Sequence, residues 1–533
     1  MAAYVGKYVL ENLTTGMYDN PLIIYREYVQ NCADSIDDAI SEHIISKISE
    51  SPINIQINYN DRFISILDTA KGLSTKNFES ILTKIADSDK GGKKQKGFRG
   101  IGRLAGIAYC DFLIFEASAK GEPNKSVMTL DAAKFKESLS NANDHIDAVS
   151  LFNKISMITV EPEKPELHYF KVTLVNVSKS NDELLNTVKV KDYLSQVLPV
   201  PYSRSFLYRD LIYDNAKKLD LKIDEYIVNI NGTQIFKPYS ADLYDGKPDS
   251  KKRCDEVTDL KFYDLKAPDT HRMGWMWIGL SNFEGVLKKD VNPMAGIRIR
   301  KENIQIGDTE VFTSHNLSKE LRTPKYFIGE IFATDENLIP NGRRDYFESN
   351  ETCKYFENEV NRICNNILQP FVRYASETRN ALKAQITAQQ SRQTFLKKEE
   401  NGSFVNKEDR EKALEKMKGD EKKAETARAK IQAKDQKAAS NDDYAKINEG
   451  IKKKYVSELD KAKSKESLST SSTTKEKKKP SYKTQELSQY NRAEKKLISQ
   501  IYGIIQSVLN PEQSEMLINK IQESLKKSGN KGK

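Results

Sequence analysis

Residues 27–34 read EYVQNCAD, and this stretch decides how the first part of the chain is interpreted. On a helix, Glu27, Asn31 and Asp34 stand at i, i+4 and i+7 and therefore share one face. An Asn-Pro pair at residues 20–21 supplies an N-cap followed by proline at the first helical position, which predicts that a helix begins there. A polar stripe on a helix is by itself most often a solvated face, so its meaning depends on the motifs that follow.

Two further motifs follow in chain order. Apolar residues alternate over 53–59 and again over 64–66, which predicts a β-hairpin that ends at Asp68. The sequence DTAKG occupies residues 68–72, at the end of that hairpin. The sequence GFRGIGRL occupies residues 97–104, and glycines at this spacing let the backbone approach phosphate oxygens at a helix start. Each motif alone is weak evidence, but their order and spacing are far rarer by chance.

Together the three motifs resemble the ATP-binding motifs of the GHKL superfamily, which includes gyrase B, the ninety-kilodalton heat-shock chaperones, histidine kinases and MutL. The resemblance covers roughly residues 1–215 and implies the Bergerat fold, an α/β sandwich. It implies that Glu27 is the general base that activates water and that Asn31 is the Mg²⁺ ligand. It also implies that Asp68 accepts a hydrogen bond from the adenine amino group. ATP and Mg²⁺ are therefore the expected cofactors.

The same resemblance assigns further nucleotide-contacting positions. They are Asp34, Gly72, Lys96, Gly97, Gly100, Ile101, Gly102 and Thr173. Thr173 matches a late-strand threonine that the family keeps near the adenine and the aspartate. One departure is Ala70, which stands where the family usually has the first glycine of Asp-x-Gly-x-Gly. Alanine tolerates many of the same backbone angles unless φ is positive.

A lysine- and glycine-rich segment, residues 88–96 (SDKGGKKQK), separates the second motif from the third. The family keeps its ATP lid at this position, and the alternative is an exposed basic loop. Lysines here would attract phosphate. The sequence does not decide which lysine contacts the γ-phosphate.

Residues 216–370 resemble the S5-like transducer, or middle, domain of the chaperone and MutL branches. Strands are expected in this region at residues 225–235, 274–280, 297–306 and 327–333.

Residues 338–345 (LIPNGRRD) resemble the catalytic-arginine loop of the chaperones and imply that Arg344 reaches the γ-phosphate. The alternative is a surface salt bridge to Asp345 or Glu348. If Arg344 does not contact the γ-phosphate, Arg300 and Lys301 are the next candidates for this role.

The composition changes after about residue 370. Residues 397–466 are about half charged with mixed signs, which predicts a long helix or coiled coil, with a charged, partly disordered tether as the alternative. Residues 464–479 are rich in Ser, Thr and Lys and favour a flexible linker. Helical apolar spacing returns over 487–509 and 516–525 around an Asn-Pro pair, which predicts a helical hairpin that docks or dimerises.

The expected fold class is therefore α+β, with five regions. These are the ATP-binding domain (1–215), the transducer domain (216–370), a coiled-coil-like segment (371–466), a linker (467–484) and a C-terminal helical dimerisation module (485–533).

Composition narrows the function further. The 533 residues contain no apolar run long enough for a transmembrane helix, and the first ten residues do not resemble a secretory signal. The five cysteines form no C-x-x-C pair, which fits a reducing cytoplasm. No histidine lies in the context of a phosphoacceptor helix, and no acidic cleavage domain follows the transducer region. Histidine kinases and gyrase-type topoisomerases are therefore disfavoured.

Two functions remain. The first is a chaperone-like ATPase in which ATP closes a homodimeric clamp, favoured by the arginine loop, the domain order and the C-terminal hairpin. The second is a nucleic-acid-associated ATPase of the MORC or MutL kind, for example in genome defence. It is favoured by a pI of about 8.8 and the lysine-rich tail. The partner, a client protein or duplex DNA, stays open, and no membrane partner is expected.

Overall fold

A computed structural model describes residues 5–14, 16, 20–84, 102–470, 482–487 and 489–528. The chain divides into two compact units, residues 1–369 and 370–533. The expected boundary between residues 215 and 216 falls inside the first unit and stays a prediction. The lid segment 88–96 and four site residues, Lys96, Gly97, Gly100 and Ile101, lie outside the described residues.

The first unit contains both helices and strands. Its helices are α1 (Tyr8–Thr14), α2 (Ile23–Ser41), α3 (Thr75–Thr83), α4 (Ala132–Ser140), α5 (Ala148–Ile155), α6 (Thr187–Val197), α7 (Arg209–Lys218), α8 (Val311–Ser314) and α9 (Glu351–Ile363). Its strands are β1 (Ile53–Asn58), β2 (Phe63–Asp68), β3 (Phe112–Ser118), β4 (Asn124–Asp131), β5 (Ser156–Pro162), β6 (Tyr169–Val175), β7 (Val228–Ile230), β8 (Thr233–Gln234), β9 (Asp242–Asp245), β10 (Lys252–Glu256), β11 (Asp259–Lys266), β12 (Arg272–Leu280), β13 (Gly296–Lys301), β14 (Ile304–Ile306) and β15 (Ile328–Ala333). A 3₁₀ helix at Gly102–Ala108 follows the glycine motif.

The strands form two main sheets. The N-terminal sheet has eight strands in the order β5-β4-β3-β6-β2-β1-β7-β8, and the second has five in the order β11-β12-β15-β13-β14. Apolar residues alternate along β1 and β2, so one face of the N-terminal sheet is buried in a single core with α2. This helix-on-sheet sandwich, followed by a second sheet and C-terminal helices, confirms the expected α+β architecture.

Two expected strands are hairpins instead. Residues 225–235 contain β7 and β8, which are separated by Asn231 and Gly232, both with positive φ. Residues 297–306 contain β13 and β14, separated by Glu302 and Asn303, again both with positive φ. Two consecutive positive φ values are typical of the tight turns that reverse a chain between paired strands. Strand β7 pairs in parallel with β1, so it belongs to the N-terminal sheet.

The second unit is helical. Its helices are α10 (Gln369–Glu400), α11 (Lys407–Ala439), α12 (Asp442–Thr470), α13 (Arg492–Val508) and α14 (Pro511–Ser528). The segment expected to be coiled-coil-like is thus three long helices. Helix α12 continues to Thr470, so the first residues of the expected linker are helical, and residues 471–481 lie outside the described part of the chain.

Helices α13 and α14 form the expected hairpin, and it docks within the second unit. Buried Tyr502 and Ile518 pack with Val405, which lies in the turn between α10 and α11. Ala427 and Ala424 are buried along α11, where small residues let neighbouring helices approach. None of the helices in the described ranges is long and apolar enough to cross a membrane.

Candidate functional site

Helix α2 presents its motif residues to the segment that follows the glycine-rich motif. The Tyr28 hydroxyl donates to the Arg103 carbonyl oxygen at 3.1 Å and accepts from the Gly106 N–H at 2.9 Å. These bonds hold the 3₁₀ helix Gly102–Ala108 against α2. A Cβ added to Gly102 would lie 2.4 Å from Oε2 of Glu27, so a larger residue there would have to displace the Glu27 side chain.

Glu27 lies in a charged and largely buried setting. Its side chain is 12% exposed, and its Oε1 is 3.0 Å from Nη2 of Arg26. Burial raises the pKa of Tyr193 on α6, the charge of Arg26 lowers it and the charge of Glu27 raises it. Sequence reasoning missed Arg26 and Tyr193. Arg26 could have been noticed as the neighbour of Glu27, whereas Tyr193 is far away in the chain and shows no local motif.

Asp68 ends β2 beneath α2 and is 1% exposed. Its Oδ1 accepts hydrogen bonds from the Ser35 hydroxyl at 3.0 Å and the Ala70 N–H at 3.1 Å. Burial raises the pKa of Asp68 to about 6, outweighing the bonds from Ala70, Ser35 and the Cys32 thiol, which lower it. Its Oδ2 is buried, and no described group donates to it with good geometry. A buried oxygen without a donor is costly, so this atom fits a ligand that brings an N–H group.

The DTAKG motif depends on one glycine. Gly72 has a φ of +65°, and a Cβ there would lie 1.9 Å from the carbonyl oxygen of Ser118. Ala70 is not one of the described residues that have a positive φ. The backbone angle that favours glycine is therefore at Gly72, and alanine at position 70 is compatible with its backbone.

The structure does not bring Thr173 to Asp68. In the register of β2 and β6, Asp68 lies opposite Phe170, whereas Thr173 lies opposite Ser65. Side chains alternate between the two faces of a sheet, so Thr173 lies on the face away from Asp68. Phe170 lies on the same face as Asp68 and packs against Phe115 at a ring distance of 6.2 Å. This register corrects the expected placement, and the neighbour of Asp68 on β6 is Phe170.

Arg344 lies in the second half of the unit, and charges on the motif helix act on its guanidinium. Its pKa is lowered by burial, and the charges that act on it include Glu27, Arg26 and Asp34, so its guanidinium lies within electrostatic range of α2. Its φ of +56° is uncommon for a residue other than glycine. The conformation is held by the Arg344 N–H bond to the Asn341 carbonyl at 3.0 Å and by the Gly307 N–H bond to the Arg344 carbonyl at 2.9 Å.

The two other basic candidates are engaged elsewhere. Arg300 is fully buried and pairs with Glu330. Lys301 donates to the carbonyl oxygen of Asp335 at 2.6 Å. Of the three basic residues considered from the sequence, Arg344 is the one on which Glu27 acts.

The remaining motif residues occupy the same helix. Asn31 is half-buried one turn after Glu27, and Asp34 is 3% exposed. Gln30 is fully buried, and neither its amide oxygen nor its amide nitrogen has a partner among the described residues. A fully buried amide without partners is evident only in the folded structure. No group of three or more His, Cys, Asp or Glu side chains in the described ranges could hold a metal ion.

Comparison with known proteins was made by family and by individual sequence. Residues 26–159 match the family model for histidine kinase-, DNA gyrase B-, and HSP90-like ATPases. The match supports a GHKL-type ATP-binding domain. It begins one residue before Glu27 and includes both Asp68 and the glycine-rich motif. A search of curated proteins found no match.

Proposed function

We propose that this protein is an ATP hydrolase whose site lies between α2, the end of β2 and the segment at Gly102. The observation that carries the proposal is the close approach of the Gly102 backbone to the Glu27 carboxylate, and the charge of Glu27 also acts on Arg344. A carboxylate, a phosphate-approaching backbone and a cation are the groups that phosphoryl transfer needs in one place.

The adenine end of the site is formed by Asp68. Its Oδ2 is the buried acceptor without a donor, and the exocyclic amine of adenine supplies two N–H groups. Ser35 and Ala70 orient the carboxylate through its other oxygen, so Oδ2 is left for the ligand. This arrangement would favour adenine over guanine, which carries a carbonyl at the corresponding position.

The phosphate end is formed by Asn31, Glu27 and the backbone at Gly102. Mg²⁺ is commonly held by one or two protein oxygens together with substrate phosphates. A Mg²⁺ site of this kind does not need a cluster of three or more protein ligands, and the described residues contain none. Asn31 would contribute its amide oxygen to the ion. When bound, the ion would neutralise charge on the phosphates. Glu27 would orient and deprotonate the attacking water.

Arg344 would stabilise the negative charge that develops on the transferred phosphoryl group. Its guanidinium is delivered from the loop after β15, which belongs to the second sheet, while Glu27 belongs to the N-terminal sandwich. Hydrolysis would therefore depend on how these two parts of the first unit are arranged.

We further propose a chaperone-like role in which the protein works as a homodimeric clamp joined by the α13–α14 hairpin. The hairpin buries one side against Val405 and leaves a second apolar side exposed. The exposed side chains include Leu497, Ile504, Val508 and Met516, which are 59–75% exposed. An exposed apolar stripe on a docked hairpin is suited to pairing with a second copy.

The first experiment is ATP turnover by the wild-type protein and by Glu27→Ala. The variant should bind ATP and lose hydrolysis, because the site would keep its adenine and phosphate contacts and lose its base. Glu79→Ala, at an exposed position on α3, is the matched control and should turn over at the wild-type rate. Wild-type turnover by Glu27→Ala would exclude Glu27 as the base.

The second experiment separates the two biological roles. Turnover is measured for the protein alone, with duplex DNA and with an unfolded protein. Stimulation by the unfolded protein alone supports the clamp chaperone. Stimulation by DNA alone favours the MORC- or MutL-like alternative, for which the net charge of +9 is the supporting observation.

A further inference from the structure

The carbonyl oxygen of Ala70 is bonded by a histidine from a distant part of the chain. His168 lies just before β6, and its Nδ1 is 2.5 Å from this oxygen. Ala70 is fully buried, so its carbonyl oxygen depends on a donor from the protein. A carbonyl oxygen only accepts hydrogen bonds, so Nδ1 of His168 must carry a proton. The contact therefore fixes which ring nitrogen is protonated when the imidazole is neutral.

Ala70 also bonds directly to Asp68. The Ala70 N–H donates to Oδ1 of Asp68 at 3.1 Å, and the same oxygen accepts from the Ser35 hydroxyl at 3.0 Å. His168 and Asp68 are thus joined through a single residue, with one hydrogen bond on each side of it. Because the carbonyl and the N–H belong to the same short stretch of backbone, a donor that holds the carbonyl limits the movement of the N–H.

The start of β6 is itself held against the DTAKG motif. A Cβ on Gly72 would lie 1.9 Å from the carbonyl oxygen of Ser118 and 3.1 Å from the backbone nitrogen of Tyr169, the residue after His168. The Ser118 hydroxyl donates to the carbonyl oxygen of Leu167, the residue before His168, at 3.1 Å. The backbone on both sides of His168 is therefore fixed beside the motif, and its ring is presented there with little freedom.

We propose that His168 is a positioning residue for Asp68. Its Nδ1–H holds the Ala70 carbonyl, the Ala70 N–H then stays on Oδ1, and Oδ2 is left for a ligand that brings an N–H group. His168 itself neither contacts the ligand nor transfers a proton. The inference rests on the proposed role of Asp68 as the adenine acceptor, because only then does the orientation of this carboxylate affect ATP affinity.

The first test is the protonation of the His168 ring, measured without nucleotide. Nitrogen-15 NMR distinguishes a protonated ring nitrogen from an unprotonated one. In its neutral form, His168 should carry its proton on Nδ1, whereas a free histidine side chain prefers Nε2. The exposed His43 is the control and should show the ordinary preference. A neutral His168 protonated on Nε2 would overturn the proposal, and this measurement needs no variant protein.

Two variants test the effect on Asp68. His168→Phe keeps a ring but has no donor, so the Ala70 N–H should hold Oδ1 less firmly. His168→Asn places an amide NH₂ group close to the position of Nδ1 and should restore the bond to the carbonyl. Leu167→Phe is the matched control, because it adds a ring at a neighbouring side chain that is 43% exposed and keeps the histidine.

The readout is the midpoint of the Asp68 carboxyl group in a carbon-13 NMR titration of the nucleotide-free protein. Burial raises the pKa of Asp68 to about 6, against the bonds from the Ala70 N–H, the Ser35 hydroxyl and the Cys32 thiol, which lower it. Weakening the first of these bonds should move the midpoint above 6 in His168→Phe, while the other two variants should keep the wild-type value. An unchanged midpoint in a folded His168→Phe protein would contradict the proposal.

Binding and turnover separate this role from a general structural one. His168→Phe should bind ATP about tenfold more weakly, which is the size expected when one hydrogen bond to a charged group is lost. Its kcat at saturating ATP should fall much less, because the groups around Glu27 are unchanged. Equal losses of affinity and kcat would indicate general damage and refute the positioning role. If the wild-type protein did not bind ATP, the proposed function would fail, while the carboxyl midpoint would still decide whether His168 positions Asp68.

Discussion

The backbone of Gly102 lies close to the side chain of Glu27. A Cβ built on Gly102 would lie 2.4 Å from Oε2 of Glu27 and 3.2 Å from both the Cβ and the Cδ of Glu27. A side chain on the last glycine of the third motif would therefore displace the glutamate of the first motif. The contact joins the two motifs that the chain separates by a basic segment, and it gives the first prediction.

Gly102→Ala should impair turnover more than ATP binding. The added methyl group must displace the Glu27 carboxylate, and misplacing a base costs about tenfold to a hundredfold in kcat. Gly285→Ala is the matched control, because a Cβ there meets no atom within 4 Å. Steady-state kinetics and ATP titration calorimetry measure the two effects. Equal kcat values in both variants would mean that Glu27 is not the base, or that its position does not matter.

ATP affinity should depend on pH through Asp68. Its pKa of about 6 in the nucleotide-free protein lies above the usual value, and the adenine amine needs the ionised carboxylate as acceptor. Binding therefore favours the deprotonated form, so affinity should fall as the pH decreases through about 6. A carbon-13 NMR titration should show an Asp68 carboxyl midpoint near pH 6 that moves lower when ATP saturates the site.

Asp68→Asn should abolish ATP binding, because its amide group presents a donor as well as an acceptor to the adenine amine. Asp61→Asn, at an exposed turn, is the control. Unchanged calorimetric affinity in Asp68→Asn would show that adenine binds elsewhere, and the Asp68 assignment would be wrong.

Arg344→Ala should lower kcat and leave ATP affinity nearly unchanged, because the guanidinium interacts with charge that is largest in the transition state. In other phosphoryl-transfer enzymes, an arginine that contacts the transferred group raises kcat on the order of 10³-fold or more. A smaller loss is expected here if conformational closure limits turnover. Arg343→Ala, at the exposed neighbour, should be milder.

Two outcomes would revise this assignment. Equal and small losses in both arginine variants would mean that the loop has only a structural role. Weakened ATP binding in Arg344→Ala would mean that the guanidinium already contacts nucleotide in the ground state.

The dimer prediction is tested on the exposed side of the hairpin. Ile504→Glu and Val508→Glu place charges on side chains that are 61% and 75% exposed, so they should convert a nucleotide-free dimer to a monomer without lowering the melting temperature. Gln506→Glu, exposed on another side of α13, should leave the dimer intact. Light scattering reads the mass. If the glutamate variants stayed dimeric, the interface would lie elsewhere, with the long helices α10–α12 as the next place to test.

Deletion of residues 485–533 is a less selective version of this experiment. It should also give a monomer, but it would expose Val405, which Tyr502 and Ile518 cover. The point variants are therefore the cleaner test.

Local patterns in the sequence were enough for the elements that carry the motifs. Alternating isoleucines predicted the hairpin that ends at Asp68, because period-two burial is a property of a few adjacent residues. Helix α2 was predicted from the Asn-Pro cap at residues 20–21, and the C-terminal helices were predicted from mixed charge and helical apolar spacing, which are also local signals. The turns at Asn231 and Glu302 were missed, although the Asn-Gly pair at 231–232 is a hairpin signal and residues 301–303 are all polar.

What the sequence by itself determined is which residues occupy the three motifs, Glu27, Asn31, Asp68 and the glycines among them, whose predicted roles come from the resemblance to the GHKL superfamily. The tertiary structure decided which groups meet. Strand register placed Phe170, and not Thr173, beside Asp68, because a shift of one residue moves a side chain to the other face of a sheet. Folding of the first unit brought the Gly102 backbone against Glu27, and it placed Arg344 and Tyr193 where the charge of Glu27 acts on them. Contacts of this kind depend on burial and packing between distant segments, which leave no local pattern in the sequence.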